Sequence, residues 1–197
     1  MATFELGGLI GVAASERPEL LADPTRAALE ELGLMGAVGV VEIDPDVSDT
    51  AATQQVYGLH AAQLVNCVLV GGRRDGVERV AACLVPADKR ADVNGFVRRR
   101  LDVRKASLLP RDTAIEASGM EYGGITPIGL PAAWPVLLDA DAAQAALVVI
   151  GSGVRRSKLL VPGAVLAHLP NVEVTSDVAR PVATAAVEPA SGEPTSA

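Results

Sequence analysis

Few residues in this chain are of a type and spacing that could do conventional hydrolytic or metal chemistry. The two histidines, His60 and His168, are far apart and each lies on a helical pattern, which suits a partly exposed helix residue better than a catalytic base. Ser152 sits in a GSG at 151–153, but a nucleophile elbow needs a glycine two residues before its serine, and position 150 is Ile. GGRRDG at 71–76 lacks the Gly-Lys-Ser/Thr ending of a phosphate-binding loop and joins two apolar runs instead of opening a helix. Cys67 and Cys83, sixteen positions apart in apolar stretches, support neither a disulfide framework nor a zinc site and read as buried free thiols. No metal and no cofactor is expected.

One stretch remains. Residues 119–131, GMEYGGITPIGLP, put four glycines and two prolines among Tyr122, Ile125, Ile128 and Leu130, a packed composition unlike that of a polar surface linker. Gly123 and Gly124 read either as a tight turn between helix and strand or as a place where backbone approaches a ligand closely. In the second case the chemistry available is that of oriented N–H groups, which stabilise a developing oxyanion without a strong base if the substrate is already activated.

The elements that must position this loop are readable. GAVGVVEID (36–44) has the Val/Ile content of a short buried strand and ends at Pro45. Ser48 or Asp49 then caps a helix expected to run to about Leu64. LVNCVLVGG and VERVAACLVP flank GGRRDG and predict a hairpin. Val93, Phe96, Val97 and Leu101 follow Asp92 at helical spacing, with arginines toward the end that the helix dipole favours. PRDTAIEAS (110–118) has Pro at its first turn and Gly119 just beyond it, so the glycine-rich loop begins at a helix C-terminus. WPVLLD, ALVVIGSG, SKLLVP and VEVT predict further strands, and GAVLAHL a short helix. Without strict βαβ alternation, an α+β fold with a mixed or largely antiparallel sheet is favoured over a doubly wound one. From about Ser176 the composition turns to Ser, Pro, Ala, Thr and Glu, which predicts a disordered tail over 176–197.

Composition narrows the function classes. Apolar residues make up 49% but aromatic ones only 3%, so an aliphatic core is expected, and the composition argues against base stacking on several rings. The net charge of −7 argues against bulk attraction to nucleic acid, and no DNA partner is expected. The charge is uneven: residues 1–60 hold two basic and ten acidic residues, whereas 61–110 hold ten basic and five acidic. Arg98, Arg99, Arg100, Arg104 and Lys105 concentrate this basic character, as a solvated helix face or as a patch that contacts phosphates. No run of 18 apolar residues predicts a membrane span. MATFELGGLIGVAAS lacks a basic segment and carries Glu5, so it does not read as a secretory signal, and a cytoplasmic location is expected.

GMEYGGITPIGLP, followed by WPVLLD and VVIGSGVRRSKLLVPG and preceded by RADVNGFVRRRL and RKAS, resembles the YbaK/EbsC-like family, the prolyl-tRNA-synthetase-associated editing domain. The resemblance covers roughly residues 46–175, leaving 1–45 as an N-terminal extension. It implies a single α+β domain with a curved, mixed, largely antiparallel sheet flanked by helices and a pocket bounded by the glycine-rich loop. It also implies hydrolysis in trans of the ester linking a wrong amino acid to tRNA. Gly124, Ile125, Thr126 and Pro127 match the family's Gly-x-x-Pro element, Gly123 and Gly129 its flanking glycines, and Gly151 and Gly153 a second turn facing the same pocket.

The departure lies in LVNCVLV, where the editing enzymes usually carry a functional lysine and this chain has Asn66. Asn66 keeps donors and an acceptor able to orient an ester or a ribose hydroxyl, but it lacks the charge to neutralise a phosphate. Three readings follow. The first is an aminoacyl-tRNA deacylase with Asn66 and Gly124 at its catalytic centre, aminoacyl-tRNA as partner and an aminoacyl-tRNA synthetase as a further candidate. The second is a non-catalytic module that binds aminoacyl-tRNA or a small aminoacyl ligand, and the third a hydrolase of small esters unrelated to tRNA.

Overall fold

The computed structural model describes residues 3–182 of the chain's 197. Its strands are Thr3–Leu6 (β1), Leu9–Ala13 (β2), Gly39–Glu42 (β3), Val65–Arg74 (β4), Val77–Pro86 (β5), Lys89–Ala91 (β6), Ala106–Leu108 (β7), Val136–Asp139 (β8), Val148–Gly151 (β9), Ser157–Val161 (β10), Val172–Thr175 (β11) and Ala179–Pro181 (β12). The helices are Asp23–Glu31 (α1), Thr50–Tyr57 (α2), Arg98–Arg100 (α3, continuing a π-helical turn over Val93–Val97), Arg111–Ser118 (α4), Ala140–Gln144 (α5) and Gly163–Ala167 (α6). The fold is α+β with mixed, largely antiparallel pairing, as expected, and the strands form two five-stranded sheets and a two-stranded pair of β6 with β12. One sheet has the order β1-β2-β3-β10-β9 and is antiparallel throughout. The other has the order β11-β8-β5-β4-β7, with β4 antiparallel to β5 and β7, and β8 parallel to β5 and β11.

Side-chain alternation on β5 explains how the layers stack. Ala82 and Leu84 face the first sheet, joining Leu159, Val161 and Val40 in the main core, which α1, α5 and α6 close with Leu29, Ala142 and Leu166. Ala81, Cys83 and Val85 face the other way, against Val97, Leu101 and Val103 around α3. Strands β8 and β10 are buried along their whole length, which is why VLLD and SKLLV show no polar alternation in sequence. Besides this shared core, an isolated parallel bridge between Leu64 and Val149 links the two sheets.

Local expectations change at the helix, the hairpin turn and the start of the tail. The helix begun at Asp49, whose side chain accepts from the Ala52 N–H, stops at Tyr57 because Gly58 takes a left-handed φ of 61° and turns Leu59 into the core. Ala61–Gln63 is then a separate 3₁₀ turn. The hairpin turn is narrower than GGRRDG: only Asp75 and Gly76, with φ of 52° and 80°, lie between the strands. Residues 1–45 supply β1, β2, α1 and β3, and β3 pairs directly with β10. Of the segment expected as a tail, Ala179–Pro181 pairs with β6 and Val178 is buried, while 183–197 lie outside the described residues.

One buried charge pair ties β6 to β8. Lys89 Nζ donates to Asp139 Oδ1 at 2.8 Å and to Asp141 Oδ2 at 2.6 Å, and the Asp139 side chain is wholly inaccessible. Removing the cation leaves a carboxylate buried without a counter-ion. Lys89→Ala is expected to cost about 3 kcal/mol and lower Tm by roughly 10 °C, with part of the loss recovered in Lys89→Ala/Asp139→Asn, which removes the buried charge and keeps an acceptor for the Asp141 N–H at the start of α5. Thermal melts of both variants check this.

Candidate active site

The two sheets splay apart from the Leu64–Val149 bridge, and a cavity of about 380 Å³ lies in the gap. Strand β4 supplies one wall through Val65, Asn66, Cys67, Val68 and Leu69, and β9 the opposite wall through Val149, Ile150 and Gly151. Tyr122, Gly123 and Ile125 of the glycine-rich loop close a third side. Most of the lining is aliphatic. The polar groups gather in one corner formed by Ser48, Asp49 and Thr50 just before and within α2, Asn66 on β4 and Lys158 on β10.

Two hydrogen bonds organise that corner. Thr50 Oγ1 donates to Asn66 Oδ1 at 2.6 Å, which leaves the Asn66 amide hydrogens available. Lys158 Nζ donates to the Ser48 carbonyl at 2.6 Å. The segment Ser48–Thr50 therefore holds Lys158 at one end and Asn66 at the other. The Ser48 hydroxyl is buried and has no partner. Lys158 is only 7% exposed, and burial pushes its ammonium down from the ordinary 10.5 to about 8, helped by Arg155 and opposed by Asp49. Sequence reasoning missed Lys158. The one available signal was a lone lysine inside an otherwise apolar strand, SKLLV.

The glycines act chiefly on one another's backbones. A Cβ on Gly151 would stand 2.2 Å from the Gly124 carbonyl oxygen and 2.6 Å from that of Ile125, and one on Gly124 would stand 2.7 Å from the Val154 backbone. The Gly153 N–H donates to the Gly124 carbonyl at 2.7 Å, and the Glu121 N–H to the Gly153 carbonyl at 2.8 Å. Loop and β9–β10 turn are thus stitched together at a separation that side chains would forbid.

Of the expected site residues, Asn66, Gly123, Ile125 and Gly151 line the cavity. Gly124 does not, and its N–H is spent on the Glu121 carbonyl at 2.9 Å, so it is no free donor to a substrate. The N–H groups of Gly123 and Ile125 on either side make no hydrogen bond among the described residues. Thr126 and Pro127 are buried beneath the loop, where the Thr126 hydroxyl lacks a partner and its N–H points at Met120 Sδ, 3.5 Å away. Gly129 packs on the backbone of Pro24, and Gly153 on Ala22 and Thr25, so both lock the loop to the start of α1.

The remaining candidates lie outside the cavity. Arg98 Nε donates to the Asn94 carbonyl and Arg100 pairs with Glu173, whereas Arg99, Arg104 and Lys105 are exposed and make no ion pair among the described residues. Residues 104 and 105 lead into β7, whose end carries Leu108 into the cavity wall. Glu121 is exposed and accepts from the Arg155 N–H at 2.6 Å. His60 and His168 are both exposed and line no part of the cavity. Cys67 reaches the cavity, and burial pushes its thiol well above the ordinary range, which disfavours the thiolate. Among the described residues no group of three or more His, Cys, Asp or Glu is placed to hold a metal ion, and no helix is long and apolar enough to cross a membrane.

Superposition on the crystal structure of the hypothetical protein APE2540 gives a TM-score of 0.69 at 20% identity, covering 80% of this chain and 100% of that one. A protein reported as a candidate trans-editing enzyme for prolyl-tRNA synthetase superposes with a TM-score of 0.66 at 23% identity, covering 78% of this chain and 94% of that one. These likenesses establish the fold. No curated protein matches the sequence. The family model for the aminoacyl-tRNA editing domain matches residues 44–169, which take in the β4 wall, the glycine-rich loop and Lys158, and the chain belongs to that family.

Proposed function

We propose that the protein is a trans-acting aminoacyl-tRNA deacylase that hydrolyses the ester of a mischarged tRNA, as a proofreading step of translation in the cytoplasm. The observation that carries this reading is the cavity's division into aliphatic walls and one polar corner, with Gly123 and Ile125, whose N–H groups are unengaged among the described residues, in its lining. An aminoacyl ester has the same division. Its side chain would lie against residues such as Val65, Ile125 and Ile150, and its carbonyl and ribose hydroxyls would meet Asn66, Thr50 and the Gly123 and Ile125 amides.

The reaction is within reach of such a site. An aminoacyl ester is already activated, so holding it beside a water and stabilising the oxyanion supplies most of what is needed, and neither histidine is required. Asn66 orients the ester or the attacking water through its free amide hydrogens. The tRNA body would contact Arg99, Arg104 and Lys105. A synthetase that charges the same tRNA is a natural source of substrate. A non-catalytic aminoacyl-binding module is the second reading, favoured by the neutral Asn66 on β4 and by the consumption of its Oδ1 by Thr50.

Two experiments test the reading. In a deacylation screen with tRNAs charged with labelled small and aliphatic amino acids, at least one pair is hydrolysed, about 100-fold more slowly by Gly151→Val because the new side chain displaces the loop. Asn66→Ala loses about tenfold, the worth of one hydrogen bond in the transition state. Charged tRNA that binds but stays intact across the panel assigns the chain to the binding module instead. In the second experiment, Arg99→Ala/Arg104→Ala weakens tRNA binding and reduces the slope of log K against log salt by about one to two, and an unchanged slope dismisses the patch.

A further inference from the structure

We propose that Lys158 is the electrophile of this site, its ammonium donating to the aminoacyl carbonyl oxygen while water adds to the carbon. This rests on the deacylase reading and says where the positive charge missing from β4 has gone. Asn66 leaves the cavity-lining part of β4, Val65–Leu69, without a cation, but the facing sheet brings one to the same cavity from β10.

Position and surroundings both support the assignment. Lys158 lines the cavity and shares its corner with Asn66 through the Ser48–Thr50 segment, each bonded to it at 2.6 Å. Its single hydrogen bond uses one of three ammonium donors and leaves two for a ligand. No carboxylate pairs with it among the described residues, and its neighbours across both ladders are Val41 and Gly151. The charged groups near it are Asp49, at the start of α2, and Arg155, in the turn before β10. A purely structural position between Ser157 and Leu159 would be better filled by an aliphatic side chain, because a buried unpaired ammonium is costly. Independently, the Ser48 hydroxyl in the same corner is buried without a partner and is free to hydrogen-bond a ligand. An unpartnered hydroxyl and an ammonium with two spare donors at one end of a mostly apolar cavity mark where a polar group of the substrate belongs.

The step balances without a co-reactant. Water oxygen bonds to the carbonyl carbon, the C=O pair moves onto oxygen, and Lys158 holds the resulting oxyanion. The C=O then re-forms as the bond to the ribose oxygen breaks. One proton of the water passes to that oxygen and the other to solvent, giving a carboxylate and a free ribose hydroxyl. Lys158 remains protonated throughout.

The test uses the full chain and the tRNA pair hydrolysed fastest in the screen, with Lys158→Met as the neutral variant of similar volume. The expected result is a fall in kcat of about 100-fold with KM changed much less. Fold is read separately: Lys158→Met melts at a higher temperature than wild type at pH 7. That gap narrows as pH rises from about 8 to 10.5, because the unfolded chain keeps its proton on lysine over that window and the folded one does not. The wild-type rate, after subtraction of uncatalysed hydrolysis, falls above about pH 8, and the residual rate of the variant does not. Activity within about twofold of wild type in Lys158→Met overturns the proposal and leaves the deacylase reading intact. Loss of activity with a lowered Tm also overturns it, as the mark of a structural lysine. A wild-type protein inactive on every charged tRNA overturns both.

Discussion

The backbone of Gly151 lies against the carbonyls of Gly124 and Ile125 at a distance that leaves no room for a Cβ, and much of the site follows from that contact. It fixes the glycine-rich loop to the end of β9, and the Gly153–Gly124 and Glu121–Gly153 hydrogen bonds extend the seam around the turn. Because β9 also carries Val149, which bridges to Leu64, the loop is held in register with β4 across the gap between the sheets. A cavity between two sheets closes unless something rigid props it. Here the prop is backbone against backbone, which cannot rearrange by changing rotamers.

The seam divides the loop's residues by task. Gly123 and Ile125 line the cavity, while Gly124 packs on the β9–β10 turn, Gly129 on the start of α1, and Thr126 and Pro127 are buried. The short segment Ser48–Thr50 performs the corresponding service on the polar side. Its position is set by Asp49 capping α2, and from there its backbone and side chain reach Lys158 and Asn66. Two neighbouring sheets thus contribute one polar residue each to a corner that a third element organises.

Much of the architecture was legible because local rules agreed with the fold. The β4–β5 hairpin, the cap at Asp49 and the end of α4 at Gly119 all followed from turn and capping chemistry. The sheet β1-β2-β3-β10-β9 was not legible as a unit, since β1, β2 and β3 are joined to β9 and β10 only by long-range pairing that leaves no periodic mark on the chain. The site was legible by composition and not by orientation. Glycines in GMEYGGITPIGLP announced close approach, but which of them faces a ligand depends on contacts with Val154, Ala22 and Pro24 that sequence spacing does not encode. Lys158 escaped notice for a related reason. Attention fell on β4, where a lysine is absent, whereas proximity in the fold brings one in from a strand ninety-two positions after Asn66.

The central claim is that the cavity between the sheets holds an aminoacyl ester with its carbonyl in the polar corner. A crystal structure of the protein with an aminoacyl-adenosine analogue, its ester replaced by an uncleavable amide, tests this most directly. The account predicts the aminoacyl side chain against Ile125 and Ile150 and the carbonyl oxygen within hydrogen-bonding distance of Lys158 Nζ. Analogue bound elsewhere on the surface, with the cavity between β4 and β9 left to solvent, would contradict it.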